Sequence, residues 1–189
     1  MKNVRSEPRL PRSGNAALAA GALIQAALGA VFVVAGLSKA IAPDYIEQFE
    51  AFVAGSAGAP SFVAQMLLMS DVQLAAQLAR FTELIAGAVL MLGALEVARR
   101  RLSGPIAAQH GYEPLVALGS AAAAFVLGGM SLGIYVLQGG RLPSINPDLA
   151  FGSPIAIELL LVPLALGVAW LELGRFVALR SSQTHGARM

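Results

Sequence analysis

Residues 14–38 read GNAALAAGALIQAALGAVFVVAGLS, a run that contains no charged side chain. A helix of this length is about 37 Å long, and the hydrocarbon core of a bilayer is about 30 Å thick. Lys39 follows the run immediately. The stretch therefore predicts a membrane-spanning helix that ends in a charge at one surface of the bilayer.

Three further apolar stretches complete a pattern of four spans. The predicted spans are 14–40, 77–98, 113–139 and 152–176. Only 13% of the 189 residues are charged, well below the share of about 25% in soluble domains. We expect an all-α membrane protein with one four-helix bundle at 14–178, a basic tail at 1–13 and a second tail at 179–189.

The basic residues are distributed unevenly over the two predicted faces of the bundle. Ten of the thirteen fall on the face that carries both termini, and the other three are Lys39, Arg80 and Arg141. We call the face with these three the outer face. Because positive residues favour the cytoplasmic side, we expect cytoplasmic termini and a location in the inner cell membrane of a prokaryote. The positive charge then matches anionic lipid headgroups, and no nucleic acid partner is expected.

The first outer connection contains a predicted amphipathic helix at 44–54. Its sequence, DYIEQFEAFVA, places aromatic and aliphatic side chains on one face and Glu47 and Glu50 on the other. Asp44 followed by Glu47 resembles a capping box. Two roles stay open: an interfacial helix lying on the outer leaflet, or a lid over a site between the helices. A second helix is predicted at 61–70.

The first and third spans share a short pattern. VFVVAGLS at 31–38 and AFVLGGMS at 124–131 match at Phe, Val, Gly and Ser. A duplicated helical hairpin would explain the match, and so would chance in a composition this biased. Small residues in the spans are expected to support close helix packing. Gly129 and Gly133 form a GxxxG pair, and four further glycines occur in the spans: Gly29, Gly36, Gly87 and Gly119.

Charged residues are predicted at similar depth near the outer face. They are Lys39, Arg80, Glu83 and Glu158. Charges inside a membrane are costly and usually pair in the bundle interior. The cluster is interpreted either as a salt-bridge network that fixes helix register or as a pocket whose carboxylates exchange protons with a ligand.

Other polar residues of the spans are assigned structural or surface roles. Gln25, deep in the first span, is expected to join helices by a hydrogen bond. Three glutamates fall at the inner interface among arginines and are expected to be solvated: Glu96, Glu113 and Glu172.

Cysteine is absent and the only histidines are His110 and His185. The lack of cysteine excludes disulfides, iron–sulfur clusters and thiol redox centres. Two histidines also argue against a protein-ligated haem or a catalytic zinc. We expect no covalently bound cofactor, so the chain could handle electrons only through a bound organic molecule such as a quinone.

Short motifs resemble those of the DoxX/DoxD family of small four-helix membrane proteins. They are GLSK at 36–39 with Pro43 after it, RFTELIAGAVLMLGAL at 80–95 and IELLLVPLAL at 157–166. The resemblance covers about 17–175 and implies a membrane component of redox systems. The named case is the thiosulfate:quinone oxidoreductase, in which DoxD lies in the membrane beside a DoxA partner. That enzyme oxidises thiosulfate to tetrathionate outside and passes electrons to the quinone pool.

The resemblance implies roles for the charged cluster. Glu83 and Glu158 would be catalytic and would deliver protons to the quinone. Three basic residues would bind quinone or attract the thiosulfate dianion: Lys39, Arg80 and Arg141. The chain contains no DoxA-like segment, so the reaction would need a second membrane or periplasmic subunit. Whether the chain is itself enzymatic stays open, as does its oligomeric state.

Two other functions remain as alternatives. A non-catalytic scaffold or assembly subunit would bind other membrane proteins, and its charged residues would be purely structural. A small transporter ranks last, because the outer polar cluster has no obvious counterpart near the inner side or the midplane, where alternating access usually needs one.

Overall fold

The structure, a computed structural model, describes residues 12–56, 71–102, 106, 108, 110–140 and 156–186. Within these ranges it contains five α-helices, numbered here in chain order. They are α1 Arg12–Ile41, α2 Tyr45–Ala54, α3 Val72–Arg99, α4 Glu113–Leu137 and α5 Ile157–Gly186. The predicted helix at 61–70 and the residue Arg141 lie outside the described residues.

Four of the helices, α1, α3, α4 and α5, are long and apolar enough to cross a membrane. The prediction of an all-α chain with four such helices is confirmed. α3 begins at Val72, earlier than predicted, because the carboxylate of Asp71 caps it by accepting a 3.2 Å hydrogen bond from the Leu74 N–H. α5 continues past the predicted span to Gly186, because no proline or glycine interrupts residues 177–185.

The long helices pack as two close pairs, α1 with α3 and α4 with α5. The α3–α4 contact that joins the pairs is smaller, the α1–α5 contact is smaller still, and α2 packs on α3. Paired helices run antiparallel: Gly29 of α1 lies against Gly87 of α3, whereas the later Gly36 lies against the earlier Leu84. This arrangement places the end of α1 beside the first half of α3.

One apolar core is shared by all four long helices. Its most buried large side chains are Leu28 and Phe32 from α1, Leu90 from α3, Leu127 from α4 and Val168 from α5. The outward sides of the same helices expose many large apolar side chains. Exposed apolar surface on every long helix is what a bundle surrounded by lipid requires, because lipid chains are as apolar as the side chains they touch.

Glycine allows the closest helix contact, between α1 and α3. A Cβ atom added to Gly29 would lie 2.8 Å from the Gly87 carbonyl oxygen, and one added to Gly87 would lie 2.9 Å from the Gly29 carbonyl oxygen. Gly129 and Gly133, in contrast, are exposed, and a Cβ added to either would meet no atom within 4 Å. The prediction that this GxxxG pair supports close packing is therefore wrong for contacts between the helices of this chain.

The short repeated pattern does not correspond to repeated environments. Phe32 is 4% exposed and its counterpart Phe125 is 67% exposed. Ser38 is exposed and its counterpart Ser131 is buried. Matched residues of a true duplication would be expected to have similar surroundings, so these burials argue against a duplicated hairpin in that register.

Candidate functional site

The centre of the outer cluster is an ion pair between α1 and α3. The Lys39 ammonium donates a hydrogen bond to Oε1 of Glu83. The Glu83 side chain is 2% exposed and that of Lys39 is 29% exposed. The second carboxylate oxygen of Glu83, Oε2, is buried and has no hydrogen-bond donor among the described residues. A buried acceptor without a donor is costly, so this oxygen is available to a ligand or a proton.

Arg80 lies on the same helix as Glu83 and extends the polar cluster. Its Nη2 donates a hydrogen bond to the Gln77 side chain. Its guanidinium carbon lies 6.0 Å from the centre of the Tyr45 ring and 5.1 Å from that of Phe81. Its Nε is buried without a hydrogen-bond partner in the part of the chain that the structure describes. Among the described residues, Arg80 is thus held against aromatic rings and is not paired with a carboxylate.

Tyr45 anchors α2 on α3. Its hydroxyl donates a 3.1 Å hydrogen bond to the Ala76 carbonyl oxygen. Burial, with a smaller effect from the negative charge of Glu83, raises the pKa of Tyr45 to about 12, and Arg80 acts in the opposite direction. The phenol therefore stays protonated at neutral pH and remains a hydrogen-bond donor.

The rest of α2 follows its amphipathic pattern. Tyr45 and Val53 are buried, while Glu47 and Glu50 are exposed. The predicted division of the helix into an apolar and an acidic face is confirmed. The capping box is not formed, because the Asp44 side chain makes no capping hydrogen bond.

A cavity of about 550 Å³ lies between α2, α3 and α4 beside the ion pair. The polar residues of its lining are Lys39, Tyr45, Gln48 and Thr82. The remaining lining is apolar: Phe49, Phe52, Ala75, Leu78, Ala79, Met130, Gly133, Ile134 and Leu137. Small-molecule sites usually occupy about 300–1,000 Å³ and combine an apolar wall with a few polar groups. The cavity has both properties.

The structure brings together only part of the predicted site. Lys39 and Glu83 are in contact, and Arg80 lies one helical turn from Glu83. Glu158, on α5, instead accepts a 3.2 Å hydrogen bond from the side chain of Gln138, the residue that follows α4. The helices that carry Glu83 and Glu158 do not form one of the main packed pairs. The roles assigned to these residues from the resemblance stay predictions.

A second charged network, centred on Arg99, closes the inner end of the bundle. The guanidinium of Arg99 makes two hydrogen bonds of 2.7 Å to the carboxylate of Glu96. It also donates a 3.3 Å hydrogen bond to Glu113 on α4. Further donations go to the carbonyl oxygens of Ile106 and Ala108. One side chain therefore ties α3, α4 and their connection together.

Glu113 completes this network at the start of α4. Its carboxylate accepts backbone hydrogen bonds from His110 at 2.6 Å and Gly111 at 2.7 Å. The turn depends on Gly111, whose φ of 88° is in the left-handed region that favours glycine. Glu113 is 2% exposed and Glu96 is 5% exposed, so the expectation that both are solvated is wrong. The Glu-x-x-Arg spacing at 96–99 was the available signal, since it places both groups on one face.

Two other polar residues of the inner half are buried. Glu172 is 4% exposed and is paired with Arg175 at 3.1 Å, so its expected solvation is also wrong. Gln25 is 1% exposed and donates a 3.1 Å hydrogen bond to the Leu90 carbonyl oxygen of α3. Its predicted role in joining helices is confirmed.

Among the described residues, no three acidic or histidine side chains are grouped closely enough to hold a metal ion.

Comparison with known proteins adds no assignment. No protein-family model, curated protein or solved structure matches the chain.

Proposed function

We propose that this protein is a quinone-binding membrane subunit of a redox system, similar to the DoxX/DoxD proteins. The observation that carries the proposal is the position of Lys39. Lys39 lines the outer cavity, and its ammonium is bound to the buried carboxylate of Glu83. A polar, proton-carrying pair thus borders an apolar cavity large enough for a quinone ring.

The pair supplies the chemistry that quinone reduction needs on the protein side. Reduction of a quinone to a quinol takes up two electrons and two protons. Lys39 can donate a hydrogen bond to a quinone carbonyl oxygen and so favour the gain of negative charge there. Glu83 holds Lys39 in place, and its Oε2 has no donor among the described residues, so the pair can take a proton from outside and pass it on.

The electrons come from a partner subunit in this proposal. The DoxX/DoxD resemblance suggests thiosulfate as donor, two thiosulfate ions forming one tetrathionate and releasing the two electrons. Lys39 and Arg80 place positive charge near the outer face, which favours approach of a dianion. With the positive-inside orientation, both termini are cytoplasmic and the cavity lies toward the outer leaflet of the inner cell membrane.

α2 forms one wall of the cavity in this proposal. Phe49 and Phe52 line the cavity, and Tyr45 and Val53 pack on the bundle. These contacts favour a helix that covers a site over one that only lies on the lipid surface. Glu47 and Glu50 then face the outer headgroup region.

Replacement of Glu83 and Glu158 by glutamine tests the proposal. The full-length protein and the variants Glu83→Gln and Glu158→Gln are reconstituted in lipid nanodiscs, and quinone affinity is measured by equilibrium binding. We expect Glu83→Gln to weaken binding by about tenfold, the equivalent of one charge-assisted hydrogen bond. The resemblance assigns Glu158 the same role as Glu83, but among the described residues the cavity has no lining residue on α5, and Glu158 contacts Gln138. We therefore expect Glu158→Gln to bind quinone as the wild type does. A folded Glu83→Gln variant with unchanged affinity contradicts the proposal.

The scaffold function is the alternative that the same structure supports, because the Lys39–Glu83 pair also joins α1 to α3. In that case the wild-type protein binds no quinone above the level of an unrelated membrane protein. Glu83→Gln would then lower only the unfolding temperature. Quinone content after purification in mild detergent separates the two functions.

A further inference from the structure

We infer that the cavity takes a long-tailed, lipid-borne ligand whose tail leaves the bundle sideways between α3 and α4, past Gly133. This inference rests on the proposed function and adds to it the class of quinone and the route of entry. We call the opening between Leu78 of α3 and Gly133 of α4 the tail slot.

The exposure of the two slot residues locates the opening. Leu78 and Gly133 both line the cavity. Leu78 is 57% exposed, and Gly133 is exposed as well. The other lining residues are buried or half-buried except Gln48 of α2, which is also exposed. The open side of the cavity is therefore bordered by Leu78 and Gly133 on the bundle and by Gln48 on α2. Both bundle residues belong to helices apolar and long enough to cross the membrane. The large exposed side chains next to them are apolar: Leu74, Phe81 and Leu132. We therefore expect the slot to open toward the hydrocarbon region.

The slot exists because of the way α3 and α4 meet. These helices pack less extensively than the pairs α1–α3 and α4–α5. The gap is open at Gly133, since a Cβ added there would meet no atom within 4 Å. Gly129 lies one turn deeper in α4 and has the same open surroundings, but it does not line the cavity. The two glycines therefore form a natural pair of test and control positions.

The chemistry of the lining selects the ligand. The α3 and α4 residues around the slot are apolar, among them Leu78, Met130 and Ile134. The polar groups of Lys39 and Thr82 also line the cavity. A molecule with a polar ring and a long hydrocarbon tail satisfies both parts, with the ring at Lys39 and the tail in the slot. A tail-less molecule would fill the ring position and gain nothing from the slot.

Leucine at position 133 should fill the slot without disturbing the fold, since the space is empty and leucine favours helix more than glycine does. The experiment compares wild type, Gly133→Leu and Gly129→Leu as full chains in nanodiscs. Equilibrium binding is measured for two benzoquinones with the same ring, one with a long isoprenoid tail and one with a methyl group in its place. A second variant, Leu78→Trp, narrows the slot from α3.

We expect Gly133→Leu to lower the affinity for the long-tailed quinone by about tenfold, because the leucine side chain would occupy the path of the tail and overpacking of this size carries a cost of that order. The affinity of Gly133→Leu for the tail-less quinone should stay unchanged. Gly129→Leu should bind both quinones with wild-type affinity. Leu78→Trp should lower the affinity for the long-tailed quinone, as Gly133→Leu does. Equal long-tail affinity in Gly133→Leu and Gly129→Leu overturns the tail slot and leaves the proposed function standing. Equal loss of both quinones in Gly133→Leu also overturns it, because the ring would then occupy that space. A wild-type protein that binds neither quinone overturns the proposed function itself.

Discussion

Lys39 and Glu83 are separated by 44 positions in the chain and form an ion pair at the outer end of the bundle. Lys39 belongs to the last turn of α1, and Glu83 is among the most buried side chains of α3. The pair neutralises a carboxylate inside the bundle, and Lys39 also lines the outer cavity. Stability and the proposed ligand binding therefore involve the same contact.

Loss of Lys39 alone should be more harmful than loss of the whole pair. Lys39→Met leaves the Glu83 carboxylate buried without its partner, and breaking a buried pair in this way costs about 3–5 kcal/mol. In the double variant Lys39→Met/Glu83→Leu the charge is gone, so most of the stability should return. Reversible unfolding of both variants in detergent micelles measures the difference. If Lys39→Met is as stable as the double variant, Lys39 is not the partner that the buried Glu83 carboxylate needs.

A methyl group at Gly87 should push α1 and α3 apart. The added Cβ would lie 2.9 Å from two backbone atoms of α1, the Gly29 carbonyl oxygen and the Val33 nitrogen. Overpacking of this kind costs about 1–3 kcal/mol. Gly119→Ala is the matched control, because its Cβ would make only an ordinary 3.8 Å contact. Unfolding free energies should fall for Gly87→Ala and not for Gly119→Ala; equal values for the two would show that the close approach is not required.

Arg99 should contribute more to the stability of the fold than Arg100, the next arginine in the chain. Arg99→Gln removes the hydrogen bonds that satisfy Glu96 and Glu113, both of which are buried. Arg100→Gln makes the same change in charge at the adjacent position. We expect Arg99→Gln to unfold at a lower temperature than Arg100→Gln and to become more sensitive to proteolysis between α3 and α4. Indistinguishable unfolding curves and cleavage patterns for the two variants would show that the Arg99 network does not hold α3 and α4 together.

Tyr45 should titrate well above its ordinary range. Its pKa is raised from 10.0 to about 12 in the folded protein. A raised pKa means that the folded state holds this proton more tightly than the unfolded state, so the stability from Tyr45 is complete below pH 10 and is lost as the pH rises toward 12. The difference in near-ultraviolet phenolate absorbance between wild type and Tyr45→Phe isolates this group. A midpoint near 10 in the folded protein would contradict its burial.

The proposed orientation can be tested with single cysteines, since the chain has none of its own. Glu47→Cys places an exposed thiol on α2, and Ser182→Cys places one near the end of α5. In intact cells a membrane-impermeant maleimide should label the first variant only. Both should be labelled after permeabilisation. The reverse pattern would invert the topology and move the cavity to the cytoplasmic side.

The four spans and the amphipathic α2 could be predicted from the sequence because each depends on one segment alone. A helix satisfies its own backbone groups in lipid, so a long apolar run is sufficient to predict it. The face of α2 follows in the same way from the spacing of residues such as Tyr45 and Val53. The hydrogen-bonding role of Gln25 was also accessible, because an amide inside an apolar helix needs a partner whichever helix supplies it.

Only the tertiary structure decided which residues meet. It pairs Lys39 with Glu83 and not with Glu158, and it buries inner glutamates such as Glu113. It also places Gly29, and not Gly129, in a close helix contact. These outcomes depend on the rotation of each helix about its axis and on which helices are neighbours. Hydropathy is a property of a segment and is the same for every rotation, so the contacts between segments choose the partners and create the cavity.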